Sequence, residues 1–201
     1  MKKVSVRFKY LFGIFLLIQI QFKLVEYFSE LRPESYLSMW VDQYIPFWAH
    51  AIWIYIFVYY VVWIFSFFGI KNLDIVRKGV NALLYGVLIT APIYLIYPIW
   101  MVRPDLSILG NGLSDSLVGM LWQVDNAANV FPSQHVVFVF IVGMMMALAF
   151  PKWCWLAYLY VFVVCVSIVL LKQHYVWDIF AGLLIGYVAY FLAFKREKLL
   201  I

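Results

Sequence analysis

Long apolar segments alternate with short polar stretches along most of the chain. A helix needs about 20 mostly apolar residues to cross the hydrocarbon core of a bilayer. Segments near that length are residues 10–28, 48–70, 79–100, 135–150, 153–171 and 175–194. Polar residues interrupt the first segment, and Pro151 separates the fourth and fifth segments into a tight helical hairpin. The pattern predicts an all-α integral membrane bundle of six transmembrane helices.

The composition agrees with this pattern. Of the 201 residues, 67% are hydrophobic and 12% are charged, whereas about a quarter of the residues of a soluble domain are charged. We therefore expect one transmembrane domain over residues 1–201, and the composition excludes a soluble protein. Cys154 and Cys165 lie roughly 16 Å apart along one predicted helix, which is too far for a disulfide between them.

Basic residues gather on one side of the predicted membrane. Of the 15 lysines and arginines, those on this side are Lys2, Lys3, Arg7, Lys9, Lys71, Arg77, Lys78, Lys152, Lys195, Arg196 and Lys198. Cytoplasmic loops carry an excess of Lys and Arg, so both termini are predicted to be cytoplasmic. The net charge of +5 follows from this topology, and we predict no nucleic-acid partner.

Three polar clusters fall on the opposite, external side. They are "VRPD" after the third segment, "FPSQH" at the start of the fourth and "KQHYVWD" before the sixth. The chain between His135 and His174 is long enough for two membrane crossings and a turn, so both histidines return to one face. The residues predicted to share this depth are Arg103, Ser133, His135, Lys172, His174 and Asp178.

Single members of this set have simpler explanations. Arg103 or Lys172 alone suits an anchor whose charge reaches the head groups. Ser133 alone suits a helix cap, because "PS" is typical of a helix start. Asp178 is different, since a carboxylate inside a membrane span needs a partner. His174 lies four residues earlier on the same helical face, so the two are expected to pair.

The set as a whole suits phosphoryl transfer. A carboxylate that binds one imidazole nitrogen leaves the other nitrogen basic and directed, so His174 beside Asp178 is a candidate nucleophile. His135 is a candidate acid for the leaving oxygen. Arg103 and Lys172 are suited to holding a phosphate. No cluster of carboxylates or cysteines indicates an obligatory ion, so we predict no metal and no cofactor.

The three clusters resemble the motifs of the type-2 phosphatidic acid phosphatase superfamily. These motifs are Lys-x6-Arg-Pro, Pro-Ser-Gly-His and Ser-Arg-x5-His-x3-Asp. The matching residues are Arg103-Pro104, Pro132-Ser133-Gln134-His135 and His174-x3-Asp178, and the resemblance covers about residues 90–190. "FPSQH", "KQHYVWDIFAG" and "DQYIPF" look like the branch of inositol phosphotransferases and related head-group transferases.

The sequence departs from the motifs at three positions. Ile96 stands where the first motif has its lysine, Gln134 replaces the glycine of the second motif, and Ile168 replaces the arginine of the third, although Ser167 matches its serine. Two phosphate-binding cations of the family are therefore missing. Lys172, two residues before His174, is a candidate substitute for one of them.

The resemblance implies a role for each matched residue. His174 would attack phosphorus, Asp178 would orient it, and His135 would protonate the leaving alkoxide. The implied phosphate-binding groups are Arg103, Ser133, Lys172 and the backbone N–H of Gln134. This describes a metal-independent phosphoric monoester hydrolase or a related phosphotransferase with a phosphohistidine intermediate.

The substrate and the acceptor stay open. The natural substrate would be a lipid phosphate or diphosphate, such as phosphatidic acid, a polyprenyl diphosphate or a phospholipid head-group donor. Water as acceptor makes a phosphatase, and an alcohol makes a head-group transferase. The missing cations also leave open a non-catalytic lipid-binding or lipid-translocating protein; a transporter would need polar residues near mid-span. We expect a multi-pass protein of a bacterial cell membrane whose active site faces outside.

One further polar pair lies in the first segment. Lys23 and Glu26 are one helical turn apart, so they are expected to pair with each other or to contact lipid head groups.

Overall fold

The protein folds almost entirely as helices. The structure, a computed structural model, describes residues 2–125 and 127–194 and is 76% helical. Its main helices are α1 (Lys2–Glu30), α2 (Ala51–Phe68), α3 (Leu73–Ile96), α4 (Leu113–Val124), α5 (Gln134–Ala149), α6 (Cys154–Leu170) and α7 (Val176–Phe194). Short 3-10 helices lie at Trp40–Tyr44, Leu106–Ile108 and Pro151–Trp153, and Ser35–Tyr36 (β1) pairs in parallel with Ile99–Trp100 (β2). The all-α prediction is confirmed.

Five helical stretches of the described chain are long and apolar enough to cross a membrane. They are Val4–Glu30, Ala51–Phe68, Leu73–Ile96, Pro151–Leu170 and Val176–Phe194. The fourth predicted segment forms α5, which has only 16 residues. This helix packs against α3, α6 and α7, and most of its side chains are buried. Its apolar character therefore serves packing inside the bundle as much as contact with lipid.

One end of the bundle is held by polar contacts of the loop between α2 and α3. The Arg7 side chain is buried and donates hydrogen bonds to the backbone carbonyls of Phe67 and Lys71. The Asn72 side chain accepts from the backbone N–H of Asp74 at 2.9 Å and caps α3, which begins at Leu73 rather than at the predicted residue 79. Three of the predicted cytoplasmic cations lie outside the described residues: Lys195, Arg196 and Lys198.

The stretch between the third and fourth predicted segments, residues 101–134, contains helix α4. Gly112 precedes this helix, and Asp115 lies in its first turn, where a carboxylate is favoured. The helix buries Val118 and Trp122, and the Trp122 indole donates to the Leu171 carbonyl at 3.1 Å. The α4 helix therefore packs over the turn that joins α6 to α7.

Candidate active site

The turn between α6 and α7 positions His174. At the C-terminal end of α6, the Lys172 N–H donates to the Val169 carbonyl and the Gln173 N–H donates to the Ile168 carbonyl. These two bonds form a Schellman cap, in which the residue after the helix takes a left-handed backbone, and Lys172 has φ of 53°. Glycine usually occupies that position, so the sequence gives no signal for this turn.

His174 is fixed by oxygen acceptors on one side of its ring. Its Nδ1 lies 2.9 Å from the Val130 carbonyl and 3.3 Å from Asp178 Oδ2. The same Asp178 oxygen accepts the Tyr175 backbone N–H at 2.7 Å, which holds the carboxylate in the first turn of α7. A carbonyl oxygen only accepts hydrogen bonds, so Nδ1 carries a proton and the Nε2 lone pair of a neutral ring is free to act as a base.

His135 faces the other nitrogen of His174. The distance between His135 Nδ1 and His174 Nε2 is 3.1 Å. Ser133 is the N-cap of α5: its side chain accepts from the Val136 N–H at 3.3 Å. The Ser133 N–H donates to the Asp178 carbonyl at 3.1 Å and ties the start of α5 to α7. The structure therefore brings together His135, His174 and Asp178, as the two-crossing argument requires.

His174 is suited to be uncharged at neutral pH. Its side chain is buried, and removal from water disfavours the charged imidazolium. Burial lowers the pKa of His174 to about 4. A neutral imidazole with Nδ1 protonated presents an unprotonated Nε2, which is the form that a nucleophile requires.

Arg103 lies beside the turn rather than on the imidazole itself. Its Nη2 donates to the side-chain oxygen of Gln173 at 2.8 Å, and its Nη1 donates to the carbonyls of Trp122 and Asp125 at 3.2 and 2.6 Å. Burial lowers the pKa of Arg103. Its Nε is buried and meets no hydrogen-bond partner within the described part of the chain, so one donor of this guanidinium is available next to the residue before His174.

The other two predicted phosphate ligands have their side chains bonded to protein groups. The Gln134 amide donates to the side chains of Gln21 at 2.9 Å and Thr90 at 3.0 Å. The Lys172 ammonium donates to the carbonyls of Ile45 at 2.6 Å and Asp42 at 3.4 Å. Burial lowers the pKa of Lys172. The Lys172 contacts hold the loop between α1 and α2 against the α6–α7 turn.

Two cavities meet at His174. The histidine cavity has a volume of about 230 Å³ and is lined by, among others, Lys23, Tyr55, Trp63, His135 and His174. The outer cavity has a volume of about 540 Å³ and is lined by, among others, Asp42, Arg103, Lys172 and His174. The predicted cations therefore lie on one side of His174, and His135 lies on the other.

Sequence reasoning missed two residues of the histidine cavity. Tyr55 contacts His135, with its hydroxyl 2.9 Å from Nε2, and a tyrosine inside an aromatic-rich apolar segment carries no signal of such a contact. Lys23 lines the same cavity. Its predicted pairing with Glu26 is confirmed by a 2.6 Å contact between the ammonium and the carboxylate, but its position near the histidines depends on how α1 packs.

The fold and the site together define a helical membrane protein with a histidine pair, of which His174 is buried and bonded to an aspartate. The PAP2 superfamily matches residues 21–192 of the chain. The chain therefore belongs to the PAP2 superfamily, the type-2 phosphatidic acid phosphatases, which confirms the resemblance of its motifs. Membership indicates a phosphatase-type enzyme in a membrane. Neither the characterised proteins nor the solved structures compared with the chain include a significant match.

Proposed function

We propose that the protein is a lipid-phosphate phosphatase or phosphotransferase that works through a phosphohistidine on His174. The observation that carries this proposal is the bonding of the two rings. His174 Nδ1 is bonded to the Val130 carbonyl and lies near Asp178, while His174 Nε2 lies 3.1 Å from His135 Nδ1. A phosphoryl group that enters between the rings meets a base on one side and an acid on the other.

The reaction proceeds in two displacements. First, the His174 Nε2 lone pair forms a bond to phosphorus while the bond to the leaving alkoxide breaks, and an imidazolium His135 gives that alkoxide its Nδ1 proton. Asp178 and the Val130 carbonyl stabilise the positive ring of His174 through Nδ1. Then water or an alcohol attacks phosphorus, its proton passes to His135 Nδ1, and the nitrogen–phosphorus bond breaks. Both histidines return to their starting states.

Phosphate binding is assigned to groups around His174. Arg103 offers its free Nε, and Lys172 lines the same outer cavity, where its ammonium would exchange a carbonyl for a phosphate oxygen. Ser133 and the backbone N–H of Gln134 lie at the N-terminus of α5, where an anion is favoured. Lys23 is a further cation on the side of the histidine cavity.

The shape of the histidine cavity supports an amphiphilic substrate. Away from the histidines it is lined by Phe15 and Ile18 of α1 and by Trp63 and Phe138. An acyl or prenyl chain between these side chains would leave its phosphate at the histidine pair. Phosphatidic acid, a polyprenyl diphosphate and a phospholipid head-group donor all have this form.

A transferase is the second candidate because His174 also lines the outer cavity. An alcohol acceptor needs a place beside the phosphohistidine that the departing lipid does not occupy. The outer cavity is larger than the histidine cavity and offers polar side chains, including Asp42 and Gln43, to hydroxyl groups. A head-group transferase of the inositol phosphotransferase type would use both cavities, whereas a phosphatase needs only water in the second.

For the topology, we propose six spans with α5 as the short fourth, cytoplasmic termini and an active site that faces outside a bacterial cell membrane. The polar contacts of Arg7 and Lys71 join α1 to the α2–α3 loop at one end of the bundle. The histidine pair lies toward the other end: His135 follows the crossings by α1, α2 and α3, and His174 follows the return through α6. This arrangement follows the positive-inside rule.

The test is a product assay on purified protein in mixed micelles. Wild-type protein with dioleoyl phosphatidic acid is expected to release phosphate, and to form a new phosphodiester when an alcohol such as myo-inositol serves as acceptor. His174→Ala is expected to abolish both products, because no other group is assigned as nucleophile, and His50→Ala is the matched control since His50 is exposed in a loop. Activity in EDTA is expected to equal activity without it. Full activity of His174→Ala would refute the assignment.

A further inference from the structure

Tyr55 contacts the active site from a helix outside the three motifs. It lies in the stretch Ile54–Tyr59, where α2 adopts a π-helical turn, a feature often found at functional sites. The Tyr55 side chain is buried at 3% exposure and its ring lies 5.6 Å from that of His135. Its hydroxyl is 2.9 Å from His135 Nε2. The neighbouring Tyr59 contacts the His135 ring only face to edge, at 5.8 Å between centroids.

The Val130 carbonyl determines the direction of the hydrogen bonds that link His174, His135 and Tyr55. The Val130 oxygen accepts from His174 Nδ1, so His174 Nε2 holds a lone pair and must accept from His135 Nδ1. As long as His174 is unphosphorylated, the His135 ring therefore carries a proton on Nδ1 in both of its charge states. When His135 is neutral, its Nε2 accepts from the Tyr55 hydroxyl. When His135 is the imidazolium, its Nε2–H donates to the Tyr55 oxygen.

We propose that Tyr55 is a positioning residue that keeps His135 Nδ1 directed at the phosphoryl group throughout the cycle. A hydroxyl is both donor and acceptor, so it bonds to His135 Nε2 before and after His135 gives up its proton. After the first displacement His135 retains a proton only on Nε2, which donates to Tyr55, and Nδ1 is ready to accept the proton of water or alcohol. Phenylalanine at this position would remove the hydroxyl that bonds to Nε2 and would let the His135 ring reorient.

This inference rests on the proposed phosphoryl transfer for its kinetic consequence, but the contact itself is testable without substrate. The chain has three histidines, so nitrogen NMR of histidine-labelled protein can be assigned with His50→Gln and His174→Gln. We expect His135 of the wild type to be protonated on Nδ1, with well-separated shifts for its two nitrogens. Tyr55→Phe is expected to keep the proton on Nδ1, which the bond to His174 fixes, but to shift the resonance of the unprotonated Nε2, because its lone pair loses the hydroxyl donor. Tyr59→Phe is expected to keep the wild-type pattern. An unchanged His135 pattern in Tyr55→Phe would overturn the proposal.

The kinetic test uses dioleoyl phosphatidic acid and its analogue with sulfur in place of the bridging oxygen. A thiolate leaves without a proton, so only the oxygen substrate needs the acid. Tyr55→Phe is expected to lower kcat on the oxygen substrate by roughly 10-fold or more, toward the ~10²–10⁴-fold effect of losing the acid itself. KM and the rate on the sulfur analogue are expected to change little. An equal loss on both substrates would assign Tyr55 a purely structural role. If the wild type releases no phosphate, the proposed function fails while the NMR result still decides the contact.

Discussion

Gly182 sits where α7 crosses the start of α5, one turn after Asp178. A Cβ atom added here would lie 2.7 Å from the Ser133 carbonyl oxygen and 2.8 Å from Val136 Cβ. Neither atom can rotate away, because one belongs to the backbone and the other is fixed to it. The substitution Gly182→Ala must therefore move the two helices apart.

The size of this movement follows from ordinary contact distances. Van der Waals contact begins near 3.4 Å, so the helices must separate by roughly 0.7 Å, and overpacking of this kind costs about 1–3 kcal/mol of stability. This separation also lengthens the hydrogen bond from the Ser133 N–H to the Asp178 carbonyl, which is 3.1 Å in the wild type. His135 moves with the start of α5 away from His174. Because a misplacement of about 1 Å can lower a rate ~10²-fold, we expect kcat to fall by roughly 10- to 10²-fold.

The assay compares Gly182→Ala with Gly186→Ala in one detergent, by phosphate release and by thermal unfolding. A Cβ at Gly186 would lie 3.0 Å from Phe140 Cβ and 3.1 and 3.2 Å from two of its ring atoms, so a shift of a few tenths of an ångström relieves the contact. Gly186→Ala is therefore expected to retain most of the wild-type kcat. Wild-type kcat for Gly182→Ala would refute the argument that this approach positions His135. An equal loss of kcat in Gly182→Ala and Gly186→Ala would mean that the loss comes from disruption of the whole bundle.

Two further predictions concern the charges around His174. Because burial lowers its pKa from 6.5 to about 4, the His174 imidazole should stay neutral as pH falls through 6.5 and titrate near 4 by NMR. The contribution of this neutral ring to the free energy of unfolding is complete above pH 6.5. It is lost as the pH falls toward 4, because the unfolded chain gains the proton first. A midpoint of 6.5 in the NMR titration of His174 would contradict this. Lys172→Met should raise KM for phosphatidic acid more than it lowers kcat, because a cation of the outer cavity is removed. An unchanged KM would count against a phosphate-binding role, and Lys9→Met, on α1 at the opposite end of the bundle, is the control.

The contact between His135 and His174 could be predicted because it depends only on the lengths of the chain segments between them. Pro151 turns the chain, two helices of about membrane length follow one another, and the chain returns to its starting face. The pairing of His174 with Asp178 was predictable for a similar reason, since four residues make one helical turn. Neither inference requires knowledge of how distant helices pack.

The partners of Tyr55, Gln134 and Lys172 were not predictable because each lies far along the chain. Gln134 contacts Gln21 and Lys172 contacts Ile45, and both contacts depend on where α1 and the loop between α1 and α2 pack. Tyr55 contacts His135 from a π-helical turn. This turn cannot be read from the spacing of hydrophobic residues, because the segment is apolar on every side. Helix α4 did have a signal in the spacing of its buried residues, which the length of the predicted loop obscured.

The short length of α5 accounts for a site that is both buried and reachable. Sixteen residues make a helix of about 24 Å, which is less than the ~30 Å thickness of a hydrocarbon core. In the proposed topology, with α5 as the short fourth span, its N-terminus with His135 in the first turn would lie below the outer edge of the core while its other end reaches the Pro151 turn. Helix α4 packs over the α6–α7 turn, and His174 is only 5% exposed and Asp178 fully buried. A full-length α5 would carry His135 up to the head groups, where water weakens the field of Asp178. For the lipid-phosphate substrate proposed above, this depth would bring the phosphate to the histidine pair without lifting the lipid chain out of the bilayer.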